Sequence, residues 1–194
     1  MNGLRRVVCF AVCAGALTVH PAMAAESVLV NPGFEMKKDV SPAFFKDLWH
    51  EFGKNARRVQ VSARSGTYSG KASGDFSNSA NFCGFMQSFD ANAGEEWMGA
   101  VWIRQSSEDP MGPGSEAFAK IEFYDANGKF LEAQESANRV TSRSAIWVYM
   151  RSGVSVIAPV RTATVRFVAM FAQYDGKSKG TVFFDDAELI KVDK

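Results

Sequence analysis

The chain has 194 residues, 46% of them hydrophobic and 22% charged, with 22 Lys and Arg against 21 Asp and Glu. That balance excludes an intrinsically disordered protein. A formal net charge of +1 excludes the basic stripe, with a domain pI above about 9, by which nucleic-acid-binding domains hold a polyanion.

The first 24 residues carry the three parts of a secretory signal peptide. Arg5 and Arg6 precede the apolar run from Val7 to Val19, and Ala22-Met23-Ala24 supplies the small residues that place cleavage after Ala24. A run of thirteen residues is too short to span a bilayer, which needs about 20. No membrane span is expected after cleavage, and the protein is expected to be secreted or periplasmic. A lipoprotein would acylate Cys13 and would want a small residue where Val12 stands. The mature chain, residues 25–194, loses two arginines and no acid, which leaves 20 basic against 21 acidic residues. It keeps one cysteine, Cys83, and one histidine, His50, so an intramolecular disulfide is impossible and stability must come from the core.

Residues 41–57, from Ser41-Pro42 onward, suggest a short helical turn at most, and no long stretch of period 3.6 follows. Beyond residue 80 the chain alternates with period two between turn signals, which predicts an all-β, two-sheet antiparallel sandwich. Trp97, Gly99, Val101 and Ile103 share one side of a strand with Met98, Ala100, Trp102 and Arg104 on the other. Residues 106–115, with Pro110, Gly112 and Pro113, form a surface loop. Ala117, Ala119, Ile121 and Phe123 then oppose Phe118, Lys120, Glu122 and Tyr124, and Asn127-Gly128 predicts a hairpin returning through Lys129-Phe130-Leu131. Strands over 146–151, 164–173 and 180–192 complete the set, with Asp175-Gly176 turning into the last. Trp49, Trp97 and Trp147 are assigned to the core, and Cys83 is expected to be a small buried apolar residue. One domain is expected, and a monomer.

Catalytic machinery is sparse. Nucleophilic triads use a base that is most often His, and His50, between Trp49 and Glu51, suits a structural or surface role better. No Cys/His spacing suits zinc, and no glycine-rich phosphate loop occurs between a strand and a helix. Paired carboxylates could support a glycosidase, for which Glu95-Glu96, Asp109, Glu116, Glu122 and Asp185-Asp186 supply acids without showing which converge.

The order of short motifs is more specific. Leu29-Val30-Asn31-Pro32-Gly33-Phe34-Glu35 opens the mature chain, Ser65-Gly66-Thr67-Tyr68-Ser69-Gly70-Lys71 and Gly84-Phe85-Met86-Gln87 follow, and Phe184-Asp185-Asp186-Ala187-Glu188-Leu189 closes it. With the Trp-rich strand between them, these resemble the carbohydrate-binding modules of the galactose-binding-like β-jelly-roll type, the kind appended to bacterial cellulases and xylanases. The resemblance implies two antiparallel sheets, a polysaccharide or oligosaccharide partner, and no catalysis. It also implies a structural calcium ion held by Glu35 and Asp185. Calcium takes six to eight oxygens, so backbone carbonyls would supplement them, and strand alternation leaves Asp186 as the alternative ligand. A glycan cleft combines aromatic faces with polar groups, and the resemblance implies that it lies on the concave sheet. Trp102, Arg104, Phe118, Lys120, Glu122 and Tyr124 supply that mixture, and Gln87 and Arg166 join them from neighbouring strands. A small jelly-roll polysaccharide lyase or hydrolase, or an adhesive envelope module binding a protein, are the rival readings.

Overall fold

In the computed structural model the described residues are 26–36, 49–75, 79–141, 145–152 and 155–192. They form eleven strands: β1 (His50–Phe52), β2 (Ala56–Val59), β3 (Ser69–Asp75), β4 (Asn81–Asp90), β5 (Glu96–Gln105), β6 (Ser115–Asp125), β7 (Phe130–Glu135), β8 (Val148–Arg151), β9 (Val156–Ile157), β10 (Thr162–Gln173) and β11 (Lys179–Val192). Five build one antiparallel sheet in the order β1-β4-β10-β6-β7, and six build the other, β2-β3-β11-β5-β8 with β9 against β5. The two layers make the β-sandwich that the alternation predicts.

Period-two alternation explains the layers, because residues i and i+2 share a face. Ala117, Ala119, Ile121 and Phe123 of β6 and Val165, Phe167, Ala169 and Phe171 of β10 are all fully buried and meet Trp97, Val101 and Ile103 of β5 in a single core. Phe85 of β4 packs edge-on against Phe184 of β11 across the layers, with ring centroids 6.0 Å apart. Cys83 lies in this core, and burial pushes its thiol up to about 12. Trp49 and Trp97 are core residues, whereas Trp147 is only half-buried outside it.

The expected strands appear, β5, β6, β10 and β11 longer than the sequence suggests and β8 shorter than the expected 146–151, and the hairpin forms at Asn127-Gly128. Asp125 Oδ1 accepts from the amides of Asn127 and Lys129 at 2.9 Å each, and Gly128 takes the positive φ of 74° that the turn requires. The helical turn expected over 41–57 is overturned where it can be followed. Residues 50–52 and 56–59 are strands pairing with β4 and β3, because Phe52 and Ala56 find partners on sheet edges and tertiary pairing outweighs a weak local preference. Residues 41–48 lie outside the described residues, as do the first 25. The loop expected at 106–115 is present over 106–114, Ser115 already opening β6, and it carries the chain from the six-stranded sheet to the five-stranded one.

Candidate functional site

That crossing separates the expected ligand residues. β5 and β6 belong to different sheets, so Trp102 and Arg104 face outward from the six-stranded sheet while Phe118, Lys120, Glu122 and Tyr124 face outward from the five-stranded one. Two strands can each show the right alternation and still present their outer faces to opposite sides of a sandwich.

On the five-stranded face the register sets Ser88, Arg166 and Glu122 side by side across β4, β10 and β6. Tyr124, two residues along β6, donates its hydroxyl to Glu122 Oε2 at 2.5 Å and accepts from Arg166 Nη1 at 2.9 Å. Arg166 also donates through Nε to Ser88 Oγ at 3.1 Å, and its guanidinium lies 4.3 Å from the centre of the Tyr124 ring. Lys120 reaches Glu122 Oε1 at 2.8 Å. Burial and the Glu122 hydrogen bond push the Tyr124 phenol up to about 12, so it stays a neutral donor and acceptor at every physiological pH. The result is a half-buried patch of hydroxyl, carboxylate, ammonium and guanidinium groups against aromatic rings. Such a set can exchange hydrogen bonds with a polyol.

Two expected members stand differently. Phe118 is 2% exposed beneath the guanidinium of Arg139, 4.1 Å from its ring centre. Gln87 points inward, where its amide clamps the backbone of Val30: the Val30 amide donates to Oε1 at 3.0 Å and Nε2 donates to the Val30 carbonyl at 2.7 Å. Ser88 and Arg139 escaped the sequence reading. Alternation from Gln87 places Ser88 on the opposite face, whereas Arg139 sits in a loop with no periodic signal.

On the six-stranded face Trp102 is half-buried, tilted against Tyr149 at 5.1 Å and capped by the Arg64 guanidinium 3.9 Å from its ring centre. Arg64 is itself anchored to Asp186 at 2.5 Å, so its guanidinium roofs this tryptophan. Arg104 lies beyond that roof, beside a separate cavity.

Glu35 and Asp185 meet at a knot between the opening segment and β11. Asn31 and Phe34 both adopt positive φ, 55° and 60°. The turn thrusts the Phe34 ring into a stack on Trp49, centroids 5.0 Å apart at 11°. Glu35 is thereby set against the next turn, where its Oε1 accepts from the amides of Thr67 and Tyr68 at 3.0 and 2.9 Å. Gly66 permits the approach: at φ 61° a Cβ there would lie 2.4 Å from Glu35 Oε1. Asp185 is fully buried, and burial raises its carboxyl to about 6. It accepts from the amides of Arg64, Ser65 and Asp186 and makes no ion pair with any described residue. A Cβ on Gly33 would lie 3.5 Å from Asp186 Oδ1, 3.7 Å from Asp185 Oδ1 and 3.9 Å from Glu35 Cγ, so two carboxylates and the stem of Glu35 border one glycine. Among the described residues no three acidic, His or Cys groups are set to share one metal ion. A buried carboxylate with no ion pair to a described residue is the kind of group that a bound cation neutralises.

No family model matches the sequence, and no curated protein does. Solved structures match the fold. The chain is similar to the CBM22-1 xylan-binding domain of Paenibacillus barcinonensis Xyn10C, at 14% identity and a TM-score of 0.59, over 88% of this chain and 99% of that one. It is similar to TmCBM61 solved with β-1,4-galactotriose, at 18% identity and a TM-score of 0.52, over 87% of this chain and 100% of that one. It is also similar to the enzymatically active domain of tailspike protein 4 from bacteriophage CBA120, at 11% identity and a TM-score of 0.52, over 75% of this chain. There it spans only 19% of the other chain. These likenesses establish a shared β-sandwich, which hosts more than one activity.

Proposed function

We propose that the protein is an exported, non-catalytic module that binds a polysaccharide or oligosaccharide on the outer face of its five-stranded sheet. The observation that carries this reading is the convergence of Lys120, Glu122, Tyr124 and Arg166 from two neighbouring strands into one patch of mutually bonded polar groups beside aromatic rings. Sugar hydroxyls both donate and accept, and Tyr124 and Arg166 beside a carboxylate match that need. The likeness to modules described as xylan-binding or solved with galactotriose supports a glycan. Export rests on the signal-like opening of the sequence; among the described residues no helix is long and apolar enough to cross a membrane.

A panel of soluble polysaccharides run in affinity electrophoresis tests the reading. The parent should be retarded by at least one of them, and Tyr124→Ala or Arg166→Ala should weaken binding about tenfold or more, ~1.4 kcal/mol. Trp102→Ala, on the opposite face, should leave it unchanged. New reducing or unsaturated ends in the incubation would make the protein a hydrolase or lyase instead, and no retardation by any glycan would leave a protein-binding module.

A structural calcium ion forms the second part of the proposal. Glu35 and Asp185 would hold it, with Asp186 as the neighbouring acid. It would supply a charge opposite to the buried Asp185 and tie the opening segment to β11.

A further inference from the structure

Three cationic side chains cross the outer face of the six-stranded sheet in one row. The register pairs Arg57 of β2 with Lys71 of β3, Lys71 with Phe183 of β11, and Phe183 with Arg104 of β5. Ala72, Phe184 and Ile103, one step along their strands, are buried in the core, so the row points outward. Like charges directly opposite each other destabilise an antiparallel pair, yet Arg57 and Lys71 stand in that relation. None of the three cations makes an ion pair with a described residue.

Lys71 and Arg104 flank a cavity of about 280 Å³ over Phe183, walled by Thr181 and the loop after β5. That volume is near the lower end of ligand pockets, roughly 300–1,000 Å³. Arg104 Nε is cut off from solvent and has no hydrogen-bond acceptor among the described residues, although buried donors are nearly always satisfied. Two acids, Glu108 and Asp109, also border the cavity. Neither pairs with the cations, and Asp109 is turned to Thr181, accepting from its hydroxyl at 2.7 Å. Adjacent strands lie about 4.8 Å apart, so Lys71 and Arg104 leave the backbone roughly 10 Å apart with Phe183 between them, and long side chains can close on one anionic group above that ring.

We propose that this cavity is a second binding site, on the face opposite the Tyr124 patch, for a sugar-sized ligand bearing an oxyanion. Arg104 takes the anion through paired N–H donors, Lys71 adds a point charge, and Phe183 forms the apolar floor. The shared chemistry is the oxyanion, carried as a sugar carboxylate or a sugar sulfate.

Titrations of the purified protein with galacturonic acid, galactose 6-sulfate, galactose and inorganic phosphate, followed by calorimetry and amide chemical shifts, test it. At least one acidic sugar should bind about tenfold or more tightly than galactose and move the amides of Lys71, Arg104 and Phe183. Whichever binds identifies the source of the oxyanion. Lys71→Met and Arg104→Gln, each verified by its melting curve, should lower that affinity at least about tenfold, and Tyr124→Ala should not change it. Lys71→Met alone carries the test if Arg104→Gln fails to fold. Equal binding of galactose, phosphate binding as well as the acidic sugars, or no binding by either acidic sugar at millimolar concentration overturns the proposal. None of these outcomes depends on the polysaccharide panel that tests the five-stranded face.

Discussion

Glu95 shows how one carboxylate can join distant parts of the chain. Its Oε1 accepts from the Asn92 side-chain amide at 2.9 Å and from Lys191 Nζ at 2.6 Å. The Asn92 hydrogen bond, then Lys191, holds the carboxyl down to about 2. Its folded value thus lies below the unfolded one, near 4.3. The stabilisation it provides is therefore present above pH of about 4 and lost as pH falls towards about 2. Acid-induced unfolding followed by circular dichroism should show a shallower decline for Glu95→Gln than for the parent across that window. Identical pH profiles would mean that the exposed Lys191 end of the bridge is fully screened.

At the scale of the elements, two glycines separate backbone conformation from packing. Gly128 in the β6–β7 turn has a φ of 74° and open space where a Cβ would stand. Gly128→Ala should therefore cost only the conformational term of about 1 kcal/mol. Gly84 in β4 has a φ of 152°, and a Cβ there would lie 2.0 Å from the Ala169 carbonyl oxygen of β10. Gly84→Ala has to push apart the two strands that carry Arg166 and Ser88, so its cost in denaturant unfolding should exceed that of Gly128→Ala several-fold. Equal costs would mean that β4 and β10 slide freely. The β2–β3 pair offers a complementary test. Replacing Lys71 with Thr removes a like charge opposite Arg57 and adds a β-branched side chain, which should raise stability by about 0.2–1 kcal/mol. A loss of stability on Lys71→Thr would show that Lys71 supports the sheet rather than a ligand.

For the whole molecule, the knot that joins the opening segment to β11 is the place where a cation would act. A metal that binds only the folded state stabilises it by RT ln(1 + [L]/Kd), about 2.7 kcal/mol at a hundredfold excess over Kd. Chelator should lower the melting temperature and excess calcium restore it, and Asp185→Asn or Glu35→Gln should abolish the response. An unchanged melting curve in chelator, from protein first shown by elemental analysis to hold calcium, would remove the structural role. The five backbone amides already bonded to Glu35 and Asp185 would then be the whole account of the knot.

The sequence by itself determined the class of fold. Alternation within 97–104, 117–124 and 164–173 assigns each side chain to the core or to an outer face, and Asn127-Gly128 sets a hairpin, because both are local properties of the backbone. The short strands β1 and β2 were not legible. Three or four residues with one apolar member in β1 and two, at its ends, in β2 carry no period, and only pairing along a sheet edge makes them extended. Which outer face belongs to which sheet was likewise decided by tertiary structure. Alternation has period two whichever layer a strand joins, so nothing local to 97–104 or 117–124 records that the loop between them changes layers. For that reason Trp102 and Arg104 are separated from Tyr124 and Glu122, whereas Arg166 joins Tyr124 through register with its neighbour strand. Gln87 shows the same limit: its inward parity could be counted along the strand, but its bond to Val30 depends on an opening segment 57 residues away that only the closed sandwich brings within reach.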